Sequence, residues 1–184
     1  MVKPVASRAD VAELYHRHAG EIRGYLHRRA GQAGADLLGE VFAVALRRIE
    51  DLPEPELRRA WLFGTARRLL LTAERADLRR RLAEDEDSRF QEPAAAERSA
   101  SDRSAWISAV REAMASLSDT DRELIRLTEW EQLQITEAAA VLGMRPGTAR
   151  VRLHRARRAL ANHPALQGLL GPTPDADHDP CSVA

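Results

Sequence analysis

Several residue types are scarce in this sequence, and each scarcity excludes something. Cys181 is the only cysteine, so an intrachain disulfide and a cysteine-based zinc cluster are ruled out. Aromatic residues make up 4% of the chain, which leaves Leu, Ala and Val to build any core. Lys3 is the only lysine; basic contacts fall to arginine, whose planar fork suits phosphate and guanine. No run approaches the ~18 apolar residues of a membrane span, and the N-terminus lacks the apolar core of a signal peptide. A cytoplasmic protein with no membrane partner is expected. A Gly-rich phosphate loop, a nucleophile elbow and a catalytic carboxylate pair in a cleft are likewise missing. The expectation is no enzyme, no cofactor and no metal.

What is present points to helices. Apolar residues are 44% of 184, enough for one medium domain or two small ones. Alanine and leucine favour helix, and no stretch alternates with period two. An all-α fold follows. Formal net charge is zero, from 28 basic and 28 acidic side chains, but the charges are segregated. Between Ala138 and Pro174 there is no acid, while Arg145, Arg150, Arg152, Arg155, Arg157 and Arg158 all occur. A second basic run is Arg75, Arg79, Arg80 and Arg81, and acids gather between the two, from Glu84 to Asp102.

Val11, Leu14, Tyr15, His18, Ile22, Tyr25 and Leu26 recur at three and four residues and mark one helix face. Gly31 and Gly34 break that pattern. A second helix carries Leu37, Leu38, Val41, Phe42, Ala45 and Ile49 on one side. After Pro53 and Pro55, a third carries Trp61, Leu62, Thr65, Ala66, Leu69 and Ala73. These three helices predict a first domain over 8–82. The acidic stretch 83–103 has too few large apolar groups to offset its ordering entropy and is expected to be a flexible linker. A second domain, 104–162, starts with a helix whose face is Trp106, Val110, Ala113 and Leu117. Ser118 is the expected N-cap of the next helix, with Leu124, Ile125, Leu127 and Thr128 as its core face. Thr136 is the expected cap of a short helix ending at Leu142. Residues 163–184 are expected to be a disordered tail.

The segment from Ile135 to Arg158 is a short alanine-rich helix, a tight turn containing Gly143, and an arginine-rich helix opened by Pro146. That is the layout of a helix-turn-helix whose second helix enters the major groove. Small residues Ala138, Ala139 and Ala140 permit close helix approach; Leu142, Leu153 and either Val151 or Ala149 close the local core. Arginines near the start of the second helix can reach base edges, and later ones suit phosphates. A solvated basic face is the simpler reading of any charge run, but the turn from Gly143 to Gly147 followed at once by arginines favours DNA.

Other candidates are weaker. His16 and His18 point about 200° apart on a helix and cannot share a metal; with His27 and Glu13 they read as ordinary surface or half-buried side chains. His178 and Cys181 sit in the tail with no fixed partner. Asp36 and Glu40 lie four apart on one expected helix face, a spacing that serves an interaction surface when no cleft is near.

Four stretches, LYHRHAGEIRGYLHRRAG (14–31), ADLLGEVFAVALRRI (35–49), AWLFGTARRLLLTAERADLRR (60–80) and LSDTDRELIRLTEWEQLQITEAAAVLGMRPGTARVRLHRARRAL (117–160), together resemble an extracytoplasmic-function (ECF) sigma factor of the sigma-70 family over about residues 9–160. The last is the most specific. The resemblance implies two helical domains, called region 2 and region 4, on a flexible linker, and a transcription initiation factor. Its partners would be core RNA polymerase (the β′ clamp and the β flap), promoter DNA and an anti-sigma factor, and it would be a monomer when free. Position by position, it implies that Asp36, Leu37, Glu40 and Phe42 contact the clamp. The loop Asp51–Arg58 would capture an unstacked −10 base, with Arg58, Trp61, Arg67 and Arg75 supporting that site or the DNA backbone. Arg150, Val151, Arg152, His154 and Arg155 would face the −35 element. Helical spacing gives Trp61 a core role with equal weight. Ala35, Arg68, Thr72, Ala138, Ala149 and Val151 depart from the common pattern; the alanines imply a thinner local core. Two other readings compete: a dimeric helix-turn-helix regulator that binds an operator without polymerase, and a protein-interaction module with a non-reading helix-turn-helix. The clamp helix and the basic 60–81 segment favour the sigma factor.

Overall fold

A computed structural model describes residues 6–84 and 102–170, which form helices and short helical turns with no strand among them. Most of the expected linker, and residues 171–184 of the expected tail, lie outside the described residues. Helix α1 (Arg8–Ala35) opens on a reciprocal cap: the Asp10 amide donates to Ser7 Oγ (3.3 Å) and the Ser7 amide to Asp10 Oδ2 (2.8 Å). The break expected near Gly31 is a kink at Ala30–Gly31 rather than an end, with Gly31 at φ 59°. Helix α2 (Leu38–Arg47) and a 3-10 turn at Ile49–Asp51 lead to α3 (Pro55–Glu84). Asp36 therefore caps the end of α1 while Glu40 stands in α2; the two do not share one helix, as the four-residue spacing had suggested.

The three helices bury Ile22, Tyr25 and Leu26 of α1, Val41, Phe42 and Ala45 of α2, and Leu62, Phe63 and Ala66 of α3. The Tyr25 and Phe63 rings meet edge to face at 5.3 Å. Each large side chain removed from water contributes about 1.5–3 kcal/mol, so this cluster outweighs the exposed ion pairs around it, which contribute about 0–1 kcal/mol each.

The C-terminal unit comprises α4 (Asp102–Ser116), α5 (Asp119–Ile125), a π-helical turn at Arg126–Trp130, α6 (Ile135–Leu142), α7 (Pro146–Ala161) and α8 (Pro164–Leu170). Ser118 caps α5 as its residue type predicts, accepting the Asp121 amide at 3.2 Å. Three expectations are corrected here. The cap of α6 is Gln134 rather than Thr136, because the Glu137 carboxylate accepts the Gln134 amide at 2.7 Å and sets the register. Trp106 does not join the inner face of α4: it is 57% exposed, in a stretch near the helix start whose residues 105–108 are all exposed, ahead of the buried Ala109. Residues 164–170 of the expected tail are helical, and α8 packs on α4.

The two units pack directly on each other, chiefly α3 against α6, and their buried residues form one continuous cluster. At Gly64 an added Cβ would touch Val141 Cα at 3.9 Å, which shows how closely the two helices approach.

Candidate nucleic-acid interface

The α6–turn–α7 unit is built by its turn. Gly143 takes φ 67°, ψ 31°, a left-handed conformation that glycine adopts without Cβ strain. The Met144 amide donates to Ala139 O (2.9 Å) and the Gly143 amide to Ala140 O (3.2 Å), the Schellman pattern that closes a helix end. Arg145 is extended, and Pro146 opens α7 where its missing N–H costs nothing. Ala138, Ala139 and Ala149 are fully buried. The alanines that look thin in sequence are thus what lets α6 and α7 touch, and Ala149, not Val151, is the core residue of the pair.

That choice fixes the rotation of α7. Ala149, Leu153 and Ala156 point inward. At 100° per residue, the opposite face carries Val151, His154 and Arg155, all exposed, with Val151 51% exposed. Arg158 stands on the same face, unanticipated from sequence, although its place seven after Val151 is the helical signal for it. Arg150 is exposed on one shoulder, where it lines a cleft with Thr128, Gln132, His154 and Arg157. Arg152 does not join them. Its Nε lies 2.8 Å from Asp121 Oδ1 and its Nη2 donates to Ser118 Oγ at 3.2 Å, so it braces α7 against α5. Arg157 is similarly held by Glu129, its Nε donating at 3.0 Å. The exposed groups form a basic strip around an apolar Val151, suited to phosphates, base edges and a thymine methyl.

The residues singled out in the N-terminal unit divide in the same way. Asp36 and Glu40 are exposed and Leu37 is half-buried, so they share the outer α1–α2 corner. Glu40 accepts from Arg47 at 2.6 Å. Phe42 is not on that surface: it is 6% exposed and packs edge-on against Tyr15 at 4.9 Å, because it falls on the inner stripe of α2 with Val41 and Ala45. Arg58 is also turned inward, donating to Asp10 (2.9 Å) and to Pro53 O (3.2 Å). The expected loop 51–58 is shorter than foreseen, since α3 begins at Pro55. Trp61 is half-buried against the core, Arg67 is half-buried, and Arg75 is exposed.

The largest unforeseen feature is the seam between the units. The Tyr25 hydroxyl donates to Glu123 Oε1 (3.0 Å), and Arg29 donates to both Glu123 oxygens (3.2 Å each). Arg28 pairs with Glu131. Arg59 donates to Glu131 O (2.9 Å) and pairs with Glu137 (3.4 Å). Burial first, and then the Glu123 charge, push the Tyr25 hydroxyl well above the usual phenol range. A basic face on α1 and α3 thus meets acids from α5, α6 and the turn between them.

Comparison with known proteins adds to this geometry. Residues 107–160 match the family described as Sigma-70, region 4. The chain is similar to RNA polymerase sigma factor YlaC of Bacillus subtilis (strain 168): 26% identical over 161 residues, 83% of this chain and 91% of that protein. It is similar in structure to the sigma factor RpoE from Bartonella quintana, solved with the anti-sigma factor NepR, at 25% identity and TM-score 0.59, covering 88% of this chain and 96% of that one. CnrH, solved with the cytosolic domain of CnrY, shares the fold at 23% identity and TM-score 0.51, covering 84% and 87%.

Proposed function

We propose, from the premise that the chain belongs to the ECF sigma factors of the sigma-70 family, that it is a transcription initiation factor that binds core RNA polymerase and directs it to promoters. The observation that carries this reading is the exposed strip on α7. Val151, His154, Arg155 and Arg158, with Arg150 on the shoulder, project from a helix locked by the Gly143 turn. We assign this strip to the −35 element. Arg152 supports it from behind, through Asp121.

In the N-terminal unit, Asp36, Leu37 and Glu40 are assigned to the polymerase clamp, with Phe42 holding the corner in place from the core. Trp61, Arg67 and Arg75 are assigned to the −10 region, with Arg58 fixing the start of α3 through Asp10. Promoter opening in this scheme needs no chemistry from the chain itself: flipped bases are held by aromatic and arginine side chains, and the polymerase performs synthesis. No described helix is long and apolar enough to cross a membrane, and the role places the protein in the cytoplasm. An anti-sigma factor belongs to the proposal because a structural relative was solved with one.

Binding of a fluorescently labelled chain to purified bacterial core polymerase tests the assignment. Saturable binding is expected, with Glu40→Lys and Asp36→Lys together weakening it tenfold or more. Absence of binding by the wild-type chain would overturn it.

A further inference from the structure

A second site lies at the seam, away from the α7 strip. A cleft of about 300 Å³ opens between α1, α3 and α5, and four arginines line it: Arg29, Arg67, Arg122 and Arg126. Its carboxylates do not match them. Glu123 is taken up by Arg29 and Tyr25. Asp119 pairs with Arg122, which also caps Met114 O at 2.8 Å. Arg126 reaches Glu123 only at 4.0 Å and donates no side-chain hydrogen bond among the described residues. Arg67 has no ion pair or side-chain hydrogen bond among them, and the remaining acid of the cleft, Glu74, forms no ion pair with another described residue.

Two guanidiniums from different units therefore line one cleft without a hydrogen-bonded carboxylate of their own among the described residues. Burial, then the nearby Arg29, hold the Arg126 pKa below its ordinary value, and a nearby anion would act in the opposite direction. Leu70 and Leu71 supply an apolar wall beside the arginines. Charged forks beside an apolar surface, in a volume at the lower end of the small-molecule range, suit a small phosphorylated compound.

We propose that this cleft binds a small phosphate-bearing anion, its phosphate held between Arg67 of α3 and Arg126 at the end of α5. Such a ligand touches both units and so holds them together. This assignment does not depend on the transcriptional role.

The test is calorimetric titration of the full chain with inorganic pyrophosphate and, separately, with guanosine 5′-diphosphate, at constant ionic strength. One saturable site is expected. Arg126→Gln and Arg67→Gln should each weaken it about tenfold, as expected for losing one charge-assisted hydrogen bond; Arg23→Gln, an exposed charge elsewhere on α1, should leave it unchanged. Ligand should also raise the thermal midpoint of the wild type, by mass action on the folded state, and raise it less in Arg67→Gln. The thermal readout applies even where Arg126→Gln is poorly folded. A short single-stranded oligonucleotide forms the third arm, because a nucleic-acid backbone carries the same phosphate. Binding of the oligonucleotide but of neither small anion would overturn the proposal. So would the absence of any saturable site, or affinity that follows total charge and falls equally in Arg23→Gln.

Discussion

One carboxylate, Glu123, carries the side-chain hydrogen bonds that join α5 to α1. It accepts from Tyr25 once and from Arg29 twice, partners 98 and 94 positions away in the chain. Because these groups are buried together, removing the carboxylate leaves Arg29 with only its longer contact to Glu131, at 3.9 Å. Glu123→Ala is expected to cost on the order of 3 kcal/mol, and Tyr25→Phe about 1 kcal/mol. In a double-mutant cycle read by chemical denaturation, the two should be non-additive; additive losses would mean that the hydroxyl and carboxylate do not interact. Since the phenol's folded pKa is raised, its contribution is fully present below pH ~10 and fades as pH climbs toward the folded value. Asp10 behaves oppositely. The Ser7 hydroxyl and amide, and then Arg58, hold its carboxyl well below the usual range. Its contribution is therefore complete above pH ~4 and is lost as pH falls through the lowered value. Asp10→Asn should be less stable than wild type at pH 7, with the gap closing under strong acid; a constant gap across that range would contradict the assignment.

At the scale of the element, α7 separates two kinds of arginine. Arg155→Ala is expected to lose about 1–3 kcal/mol of discrimination for the −35 sequence with unchanged stability. Arg152→Ala should instead lower the stability of the C-terminal unit, because Asp121 loses its partner. Anisotropy on promoter DNA and urea unfolding, run on both variants, check this division, and an exchange of the two outcomes would refute it. The element itself was legible in sequence: Gly143 and Pro146 bracket the turn, and both act as their backbone preferences predict. Which arginine points outward was not, because arginines at 150, 152, 155, 157 and 158 cover most rotations of a helix. Only the burial of Ala149, which depends on the small residues of α6, resolves it. Phe42 and Arg58 follow the same logic. Their resemblance to contact positions is real in sequence, but an aromatic ring on the stripe of Val41 and Ala45, and an arginine within reach of Asp10, are claimed by the fold first. Trp106 errs the other way, as an apolar residue on the right face in the exposed stretch near the start of its helix.

At the scale of the whole molecule, the three-helix unit and the helix-turn-helix unit follow from periodicity, but their packing does not. Glu123, Glu131 and Glu137 form no motif; they converge only once α5, the π-helical turn and α6 have folded. Their partners on the N-terminal unit are Tyr25, Arg28 and Arg29 of α1 and Arg59 of α3, while the α7 strip remains outside the seam. Arg59→Glu would place a negative charge against Glu21 and Glu137. Small-angle scattering should show a larger radius of gyration for that variant than for wild type; equal radii would mean that the apolar contact between α3 and α6 holds the units without the ion pairs. The central claim, that this chain directs polymerase to promoters, is tested most directly by run-off transcription with bacterial core polymerase on fragments of the source genome, with and without the protein. Discrete transcripts that require the protein, and that disappear when the α7 strip is neutralised at Arg155 and Arg158, are predicted. No protein-dependent transcript, together with sequence-specific DNA binding by the chain alone, would contradict it.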